Sequence, residues 1–349
     1  MSKKKPLCVV FNDVHIKTGN EEDVINSVRF MIGYCVDNGI KDLLCNGDIF
    51  DSRSFQRLSN LKCWNTCLDL FQGAGLVCHV NVGNHDKTRY DSEDSFLDPF
   101  EHHPAMVLYK SIVSLELFGK KVTMSPYFDD NILVSQLEES DGGDILFGHW
   151  EMAGSTNLGR VSEKVTINEK LLKKWKKTYL GHYHNYHEIT KDIVHLPSLR
   201  QANFGEDDTK GFSVLFDDLS YEIVLGQFKR FTKIVINVDD TNSADIKELI
   251  KTHKNSKDTV RFEFIGEESK LKALNKGQFS DTGIDIKVKY SVKYDFDDPG
   301  IEAPEIIESY DKDKVIDAFK EFCKEKDYDV KSGMSLLEEF LNEKDGKEK

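Results

Sequence analysis

The run Leu7–Phe11 is apolar without interruption, the pattern of a short strand buried on both faces. From Glu21 to Val36 the apolar positions Val24, Val28, Met31, Ile32 and Cys35 recur at helical spacing. Asp42–Cys45 reads as a second strand, Leu58, Leu61, Cys67, Leu68 and Phe71 mark a second helix, and Leu76–Val82 is a third strand. This βαβαβ alternation predicts a parallel sheet covered by helices. Beyond about residue 107 strand-like segments dominate: Lys121–Tyr127, Asp144–Phe147, Thr178–Gly181, Asp192–Leu196, Phe212–Phe216 and Tyr221–Leu225, with a helix near Asn168–Trp175. Two sheets packed face to face suit that order better than one doubly wound sheet. The predicted class is α/β (α+β overall), a two-sheet β-sandwich flanked by helices.

The sandwich is expected over residues 1–230. A small α+β unit follows at 231–292, built from Phe231–Val238, a helical Ala244–His253, Val260–Ile265 and Ile284–Tyr290. Residues 293–309 are acidic and contain Pro299, Gly300 and Pro304, so they read as a linker. Residues 310–349 carry an apolar face of Val315, Ile316, Phe319 and Phe322. A capping-box pair, Ser335 with Glu338, opens a further helix.

Among the 349 residues, 39% are hydrophobic and 31% charged, enough for sizeable cores and incompatible with wholesale disorder. The N-terminal apolar run is far too short for a membrane span or a secretory segment, so a cytoplasmic protein with no membrane partner is expected. The net charge is −14, and residues 291–349 hold 18 acidic against 10 basic side chains. A chain so acidic grips polyanions poorly by itself, because phosphate contacts need Lys and Arg. Of seven cysteines, Cys8, Cys45 and Cys78 lie in strand-like runs; Cys63 and Cys67 lack the second pair a zinc site needs.

Chemistry concentrates in five clusters at or just beyond the ends of predicted strands: Asp13-Val14-His15, Gly47-Asp48-Ile49-Phe50-Asp51, Gly83-Asn84-His85-Asp86, Gly148-His149 and Gly181-His182-Tyr183-His184. Open α/β sheets gather ligands at that edge. Each cluster alone could be an ordinary turn, but the ordered set of five has no structural explanation. Its donors are carboxylate, imidazole and amide with no thiolate, which suits Mn²⁺, Fe²⁺ or Zn²⁺ in a hydrolytic site. Seven such ligands suffice for two ions if one carboxylate bridges.

With these motifs the chain resembles the calcineurin-like metallophosphoesterase superfamily. Within it, Gly148-His149-Trp150-Glu151 and Gly181-His182-Tyr183-His184 look most like the SbcD-type double-strand-break nuclease subunits, phage-encoded ones in particular. The motif likeness covers roughly residues 7–200. It implies that Asp13, His15, Asp48 and His184 hold one divalent metal ion, and Asp48, Asn84, His149 and His182 the other. Mn²⁺ is the first choice, with Mg²⁺ or Fe²⁺ as alternatives. His85 would face the scissile phosphate and assist the leaving oxygen, oriented by Asp51, while Asp86 braces the loop.

The resemblance further implies a metal-dependent DNA exonuclease or endonuclease, acting on double-stranded ends and single strands. It would process DNA for recombination, repair and recombination-dependent replication, in a host bacterial cytoplasm if phage-encoded. Residues 231–292 would be a DNA-capping domain, with Lys233, Arg261, Lys287 and Lys289 as backbone contacts. Residues 310–349 would dock on an SbcC-like ABC-type coiled-coil ATPase, in a heterotetramer built on a homodimer of this chain. Leu58, Leu61, Trp64 and Leu68 offer a dimer surface as readily as a core face.

The alternative is a small-molecule phosphodiesterase of the same superfamily. A protein phosphatase is disfavoured because Asp86 stands where that branch has Glu, and Asp51-Ser52-Arg53 where it has Asp-Arg-Gly. The chain also departs from many relatives at His195-Leu196-Pro197-Ser198, where a Gly-Ser-Pro or Gly-Thr-Pro is usual.

Overall fold

A computed structural model of the chain describes residues 4–157, 160–161 and 167–289, together with position 320. The first half runs β1 (Pro6–Phe11), α1 (Glu21–Asn38), β2 (Asp42–Asn46), α2 (Leu58–Gly73), β3 (Val77–Asn81) and β4 (Met106–Tyr109). These four strands pair in parallel. The hairpin β5 (Val113–Leu117) and β6 (Lys120–Ser125) follows, then α3 (Asp130–Glu139) and β7 (Gly143–Gly148). A small ribbon, β8 (Thr156–Asn157) with β9 (Arg160–Val161), precedes α4 (Glu169–Leu172), β10 (Trp175–Leu180), β11 (His187–Thr190) and β12 (Ile193–His195). Finally β13 (Gly211–Phe216) and β14 (Tyr221–Leu225) return antiparallel to lie beside β1. The result is two six-stranded sheets, ordered β14-β13-β1-β2-β3-β4 and β11-β12-β10-β7-β6-β5.

The uninterrupted apolar runs follow from burial on both sides. In β1, Cys8 and Val10 face the other sheet, meeting Leu44, Val122, Met124, Ile145, Phe147 and Tyr179. Val9 and Phe11 face the opposite way, against Val28, Met31 and Trp64 of α1 and α2. On the far side of the second sheet, Leu133, Leu137 and Leu172 of α3 and α4 cover Leu146, Leu180 and Ile193. Glu21, Glu22 and Asp23 complement the positive end of the dipole at the start of α1, and Gly39 ends the helix in the left-handed conformation at φ 66°.

Where the C-terminal edges of the sheets meet, two buried amides tie them together. Asn46, the last residue of β2, donates to the carbonyls of Gly148 (2.9 Å) and Tyr179 (3.1 Å). Asn81, the last residue of β3, donates to the Asn46 side-chain oxygen (3.1 Å) and to the carbonyls of Ser125 (3.0 Å) and Phe147 (3.3 Å).

Beyond residue 230 the chain builds β15 (Phe231–Asn237), α5 (Ser243–His253), β16 (Thr259–Ile265), α6 (Glu268–Lys272) and β17 (Asp285–Val288). The three strands are parallel and have their own core around Phe262, Phe264, Ile236 and Ile250. Residues 1–291 together form one compact unit. The acidic linker at 293–309 and the helical segment at 310–349 lie outside the described residues, apart from position 320, which is helical.

The sandwich read from the pattern is present, with local differences. The helix placed near Asn168–Trp175 is a single turn; Trp175 opens β10 instead, its indole N–H donating to Thr123 Oγ1 at 2.8 Å. α3 has only Leu133 and Leu137 fully buried, with Ile132 and Val134 partly so, too short a stripe to stand out in the sequence. β5 went unseen because it is an edge strand with no buried residue. Cys63 and Cys67 are free thiols packed in the core, not half of a zinc site. No helix among the described residues is long and apolar enough to cross a membrane.

The stripe on α2 divides. Trp64 and Leu68 are fully buried and Leu61 packs against the same core, whereas Leu58 is 65% exposed. Trp64→Ala is expected to cost about 3–5 kcal/mol in urea unfolding followed by circular dichroism. Leu58→Ala should stay within about 0.5 kcal/mol of the parent.

Candidate metal centre

All five clusters arrive at one place, the edge stitched by Asn46 and Asn81. Asp13 and His15 follow β1, Asp48 follows β2, Asn84 and His85 sit in a 3₁₀ turn after β3, His149 follows β7, and His182 and His184 follow β10. Four of the seven expected ligands have left-handed backbones: Asp13 (φ 51°), His15 (49°), Asp48 (55°) and His182 (80°). Each such residue costs about 1–3 kcal/mol and persists only where its surroundings over-determine it.

Here the surroundings do so. The amides of Asp13, Val14 and His15 donate to the carbonyls of Gly47 (3.0 Å) and Asp48 (2.8 and 3.1 Å). The carbonyl of His15 accepts from Asn20 (2.8 Å) and from the buried guanidinium of Arg200 (3.0 Å). Asp86 braces two loops at once, one oxygen taking the amides of Ile49 and Phe50 at 2.9 and 3.0 Å, the other that of Gly83 at 3.0 Å. Gly83 is irreplaceable at this spot, since a Cβ would lie 2.2 Å from Asp48 Oδ1 and 2.3 Å from its backbone nitrogen.

The donors form three groups whose atoms lie within 4.8 Å of one another: Asp13, His15 and His184; Asp48, His149 and His182; and His15, Asp48 and His85, which joins the first two. His15 Nε2 and His184 Nε2 are 2.9 Å apart, each 3.9 Å from an Asp13 oxygen. Asp48 lies between the sets, 3.1 Å from His149 Nε2 and 3.7 Å from His15 Nε2, the position a bridging carboxylate requires. Asn84 Oδ1 completes the second set, 3.0 Å from His182 Nδ1 and 3.2 Å from His149 Nε2.

Two histidines are aimed by partners outside the pocket. His149 donates from Nδ1 to the carbonyl of Asn46 at 2.6 Å, and His184 donates from Nδ1 to Glu206 at 2.7 Å. Both therefore turn Nε2 inward. Glu206 is buried and also accepts from Ala202 N–H (3.1 Å), with Lys210 at 3.6 Å.

Burial and mutual charge set the protonation. Burial pushes Asp48 up, but charged His149, its hydrogen bond, and His15 and His85 together draw the carboxyl well below the usual range. Burial likewise pushes His149 down, yet the Asp48 carboxylate carries it to about 9. His182 is held near 3 by burial and then by the charge on His149, and His15 is lowered by burial and by His184.

These residues fit a pair of divalent cations. Asn84 Oδ1 faces two imidazole nitrogens, and His15 Nε2 faces His184 Nε2 at 2.9 Å beside the Asp13 and Asp48 carboxylates. Turned over, the Asn84 amide would donate to His182 (3.0 Å), His149 (3.2 Å) and Asp48 (3.3 Å); a cation is what would hold the oxygen inward. Oxygen and imidazole donors without thiolate fit divalent metal ions rather than a structural thiolate-bound zinc.

His85 lies beside Asp48, to whose carboxylate its backbone N–H donates at 2.8 Å, and its ring meets that of His15 edge-on. The expected pairing with Asp51 is made differently. His85 Nδ1 reaches the Asp51 backbone carbonyl at 2.5 Å, while the Asp51 carboxylate turns to His15 Nδ1 (3.7 Å) and Lys17 (3.6 Å). A short loop brings the carbonyl to the ring before the side chain can reach it.

The divergent His195 segment also has a role. Buried His195 links the carbonyl of Gly181 (2.9 Å) to Ser155 (2.7 Å), and Tyr183 packs between its ring and that of His182. Sequence reasoning missed Asn46, Arg200 and Glu206. Asn46 did carry a signal, a carboxamide closing an apolar strand; Glu206, in an acidic loop, carried none.

Glu206→Gln should weaken Mn²⁺ binding about 10- to 100-fold by titration calorimetry, with the circular dichroism spectrum unchanged.

The sequence model for calcineurin-like phosphoesterases matches residues 8–226. No curated protein matches the chain. That span takes in every residue of the centre and well over half of the chain, which belongs to the calcineurin-like phosphoesterase superfamily.

Proposed function

We propose that this chain is a metal-dependent DNA nuclease, the hydrolytic subunit of an ATPase–nuclease complex that processes DNA ends. Its family and its ligand clusters already give the coarser activity, metal-dependent phosphoester hydrolysis. The polymer substrate rests on the module that follows the hydrolase fold. One face of its sheet carries Lys233, Arg261, Lys287 and Lys289 against Glu263 and Asp285. The Arg261 guanidinium lies 4.0 Å over the ring of Phe204, in the loop that also delivers Glu206 to His184. One loop thus joins a basic face to the metal centre, a longer phosphate-binding track than a small diester needs.

In this reading Asp13, His15, Asp48 and His184 hold one cation, and Asp48, Asn84, His149 and His182 the other. When bound, the two ions supply Lewis acidity that neutralises phosphate charge and makes water more acidic. The protein fixes the donors through Asn46 and Glu206. His85 stands at the side of Asp48 where a diester would leave. The net acidity of the chain assigns much of the DNA grip to a partner, for which the amphipathic 310–349 segment is our candidate contact with an SbcC-like ATPase.

End-labelled single- and double-stranded DNA should be cut with Mn²⁺ and spared with EDTA. His85→Ser should lower the rate about 10²–10⁴-fold with metal content unchanged. Intact DNA beside hydrolysed small diesters, even with the ATPase present, would make the protein a small-molecule phosphodiesterase.

A further inference from the structure

His195 is a fully buried imidazole outside both ligand sets. It closes β12 and stands behind the loop that carries His182 and His184. Its Nδ1 donates to the carbonyl of Gly181 at 2.9 Å, and its Nε2 lies 2.7 Å from Ser155 Oγ. Ser155 is itself buried, in the loop that follows β7, and accepts the amide of Met152 at 3.1 Å. His195 thus spans from the loop that delivers His149 to the loop that delivers His182.

The bond to Gly181 falls on a sensitive peptide. That carbonyl and the N–H of His182 belong to one planar unit, so whatever turns one turns the other. The carbonyl goes to His195, and the N–H goes to Asp13 Oδ1 at 3.2 Å. Pinned at both ends, the plane holds His182 at φ 80°, a left-handed backbone that a residue with a side chain rarely adopts. Gly181 leaves no slack beside it, since a Cβ there would lie 2.6 Å from the Asn46 carbonyl oxygen.

The rings continue the same support. Tyr183 packs between His195 and His182, with centroids 5.1 Å apart on each side and planes inclined by 32° and 29°. The Tyr183 hydroxyl is held in turn by Glu151. His149 and His184 are aimed by an outer partner on Nδ1, but His182 turns its own Nδ1 inward, 3.0 Å from Asn84 Oδ1. For His182 the backbone and the stacked rings do the aiming instead.

We infer that His195 is a positioning residue for the second cation, acting on His182 through the Gly181 peptide and the Tyr183 ring. Its effect is confined to the set of Asp48, Asn84, His149 and His182, as that of Glu206 is to the set containing His184. The inference rests on the two-cation reading of the centre and is indifferent to the substrate.

Mn²⁺ would be titrated by calorimetry into the full-length parent, His195→Gln, His195→Asn and Ser155→Ala, with electron paramagnetic resonance spectra recorded at two equivalents of metal. The Gln amide follows Nε2 toward Ser155 and leaves Gly181 without a donor, whereas the Asn amide nitrogen falls near Nδ1 and keeps one. His195→Gln should weaken one binding step about 10- to 100-fold and leave the other within about twofold. Its spectrum should change from that of a spin-coupled Mn²⁺ pair to that of isolated ions. His195→Asn should hold both steps within about threefold of the parent. Adding Glu206→Gln to His195→Gln should weaken both steps, because the two residues serve different ions. Ser155→Ala removes one hydroxyl and should weaken the same single step about threefold, which carries the test if His195→Gln does not fold.

Parent-like binding in both His195→Gln and Ser155→Ala, equal weakening of both steps, or a loss in His195→Asn as large as in His195→Gln would overturn the role of His195. A parent that binds fewer than two Mn²⁺ ions would overturn the two-cation reading and this inference together.

Discussion

Asn46 and Asn81 sit where two separate sheets come edge to edge, and their amide protons go to four main-chain carbonyls of the opposite sheet. Left unbonded in that dry seam, the N–H groups of these side-chain amides would each carry a desolvation cost of about 1–3 kcal/mol, so the bonds they make fix how the sheets register against each other. Everything in the metal centre depends on that registration, because its ligands come from both. The carbonyl of Asn46 adds a direct link, holding His149 of the second sheet while Asp48 leaves the first two residues later.

Around this seam the protein concentrates features that an ordinary core avoids. Left-handed backbones at Asp13, His15, Asp48 and His182, buried carboxylates at Asp48 and Asp86, and several buried imidazoles share one small volume. Each is tolerated because neighbours hold it: Asp86 through three backbone amides, His15 through Asn20 and Arg200, His184 through Glu206. The opposing shifts of Asp48 and His149 have the same origin. A carboxylate and an imidazole forced together in a dry pocket each favour the charged form of the other.

Much of this was legible in the chain because it rests on short-range pattern. Buried parallel strands read as apolar runs, and the ligands follow them within a few residues, so motif and element mark the same places. What escaped was decided at long range. Glu206 reaches His184 across 22 residues, with no spacing rule to announce it. The carboxylate of Asp51 was expected at His85, and only the path of the loop determines that its carbonyl goes there instead. Trp64 and Leu58 lie on one helix, yet the packing of α2 against α1 and β1 alone separates the core residue from the surface one.

Each ligand set draws on both layers of the sandwich: Asp13 and His15 with His184 in one, Asp48 and Asn84 with His149 and His182 in the other. Closing the two sheets and capturing the cations are therefore a single linked equilibrium. Opening the seam even slightly pulls both coordination sets apart at once, and filling them clamps the seam. The fold's two halves are bolted at the edge where the chemistry happens, so the stiffness of the scaffold there is a property of the loaded site as much as of the polypeptide.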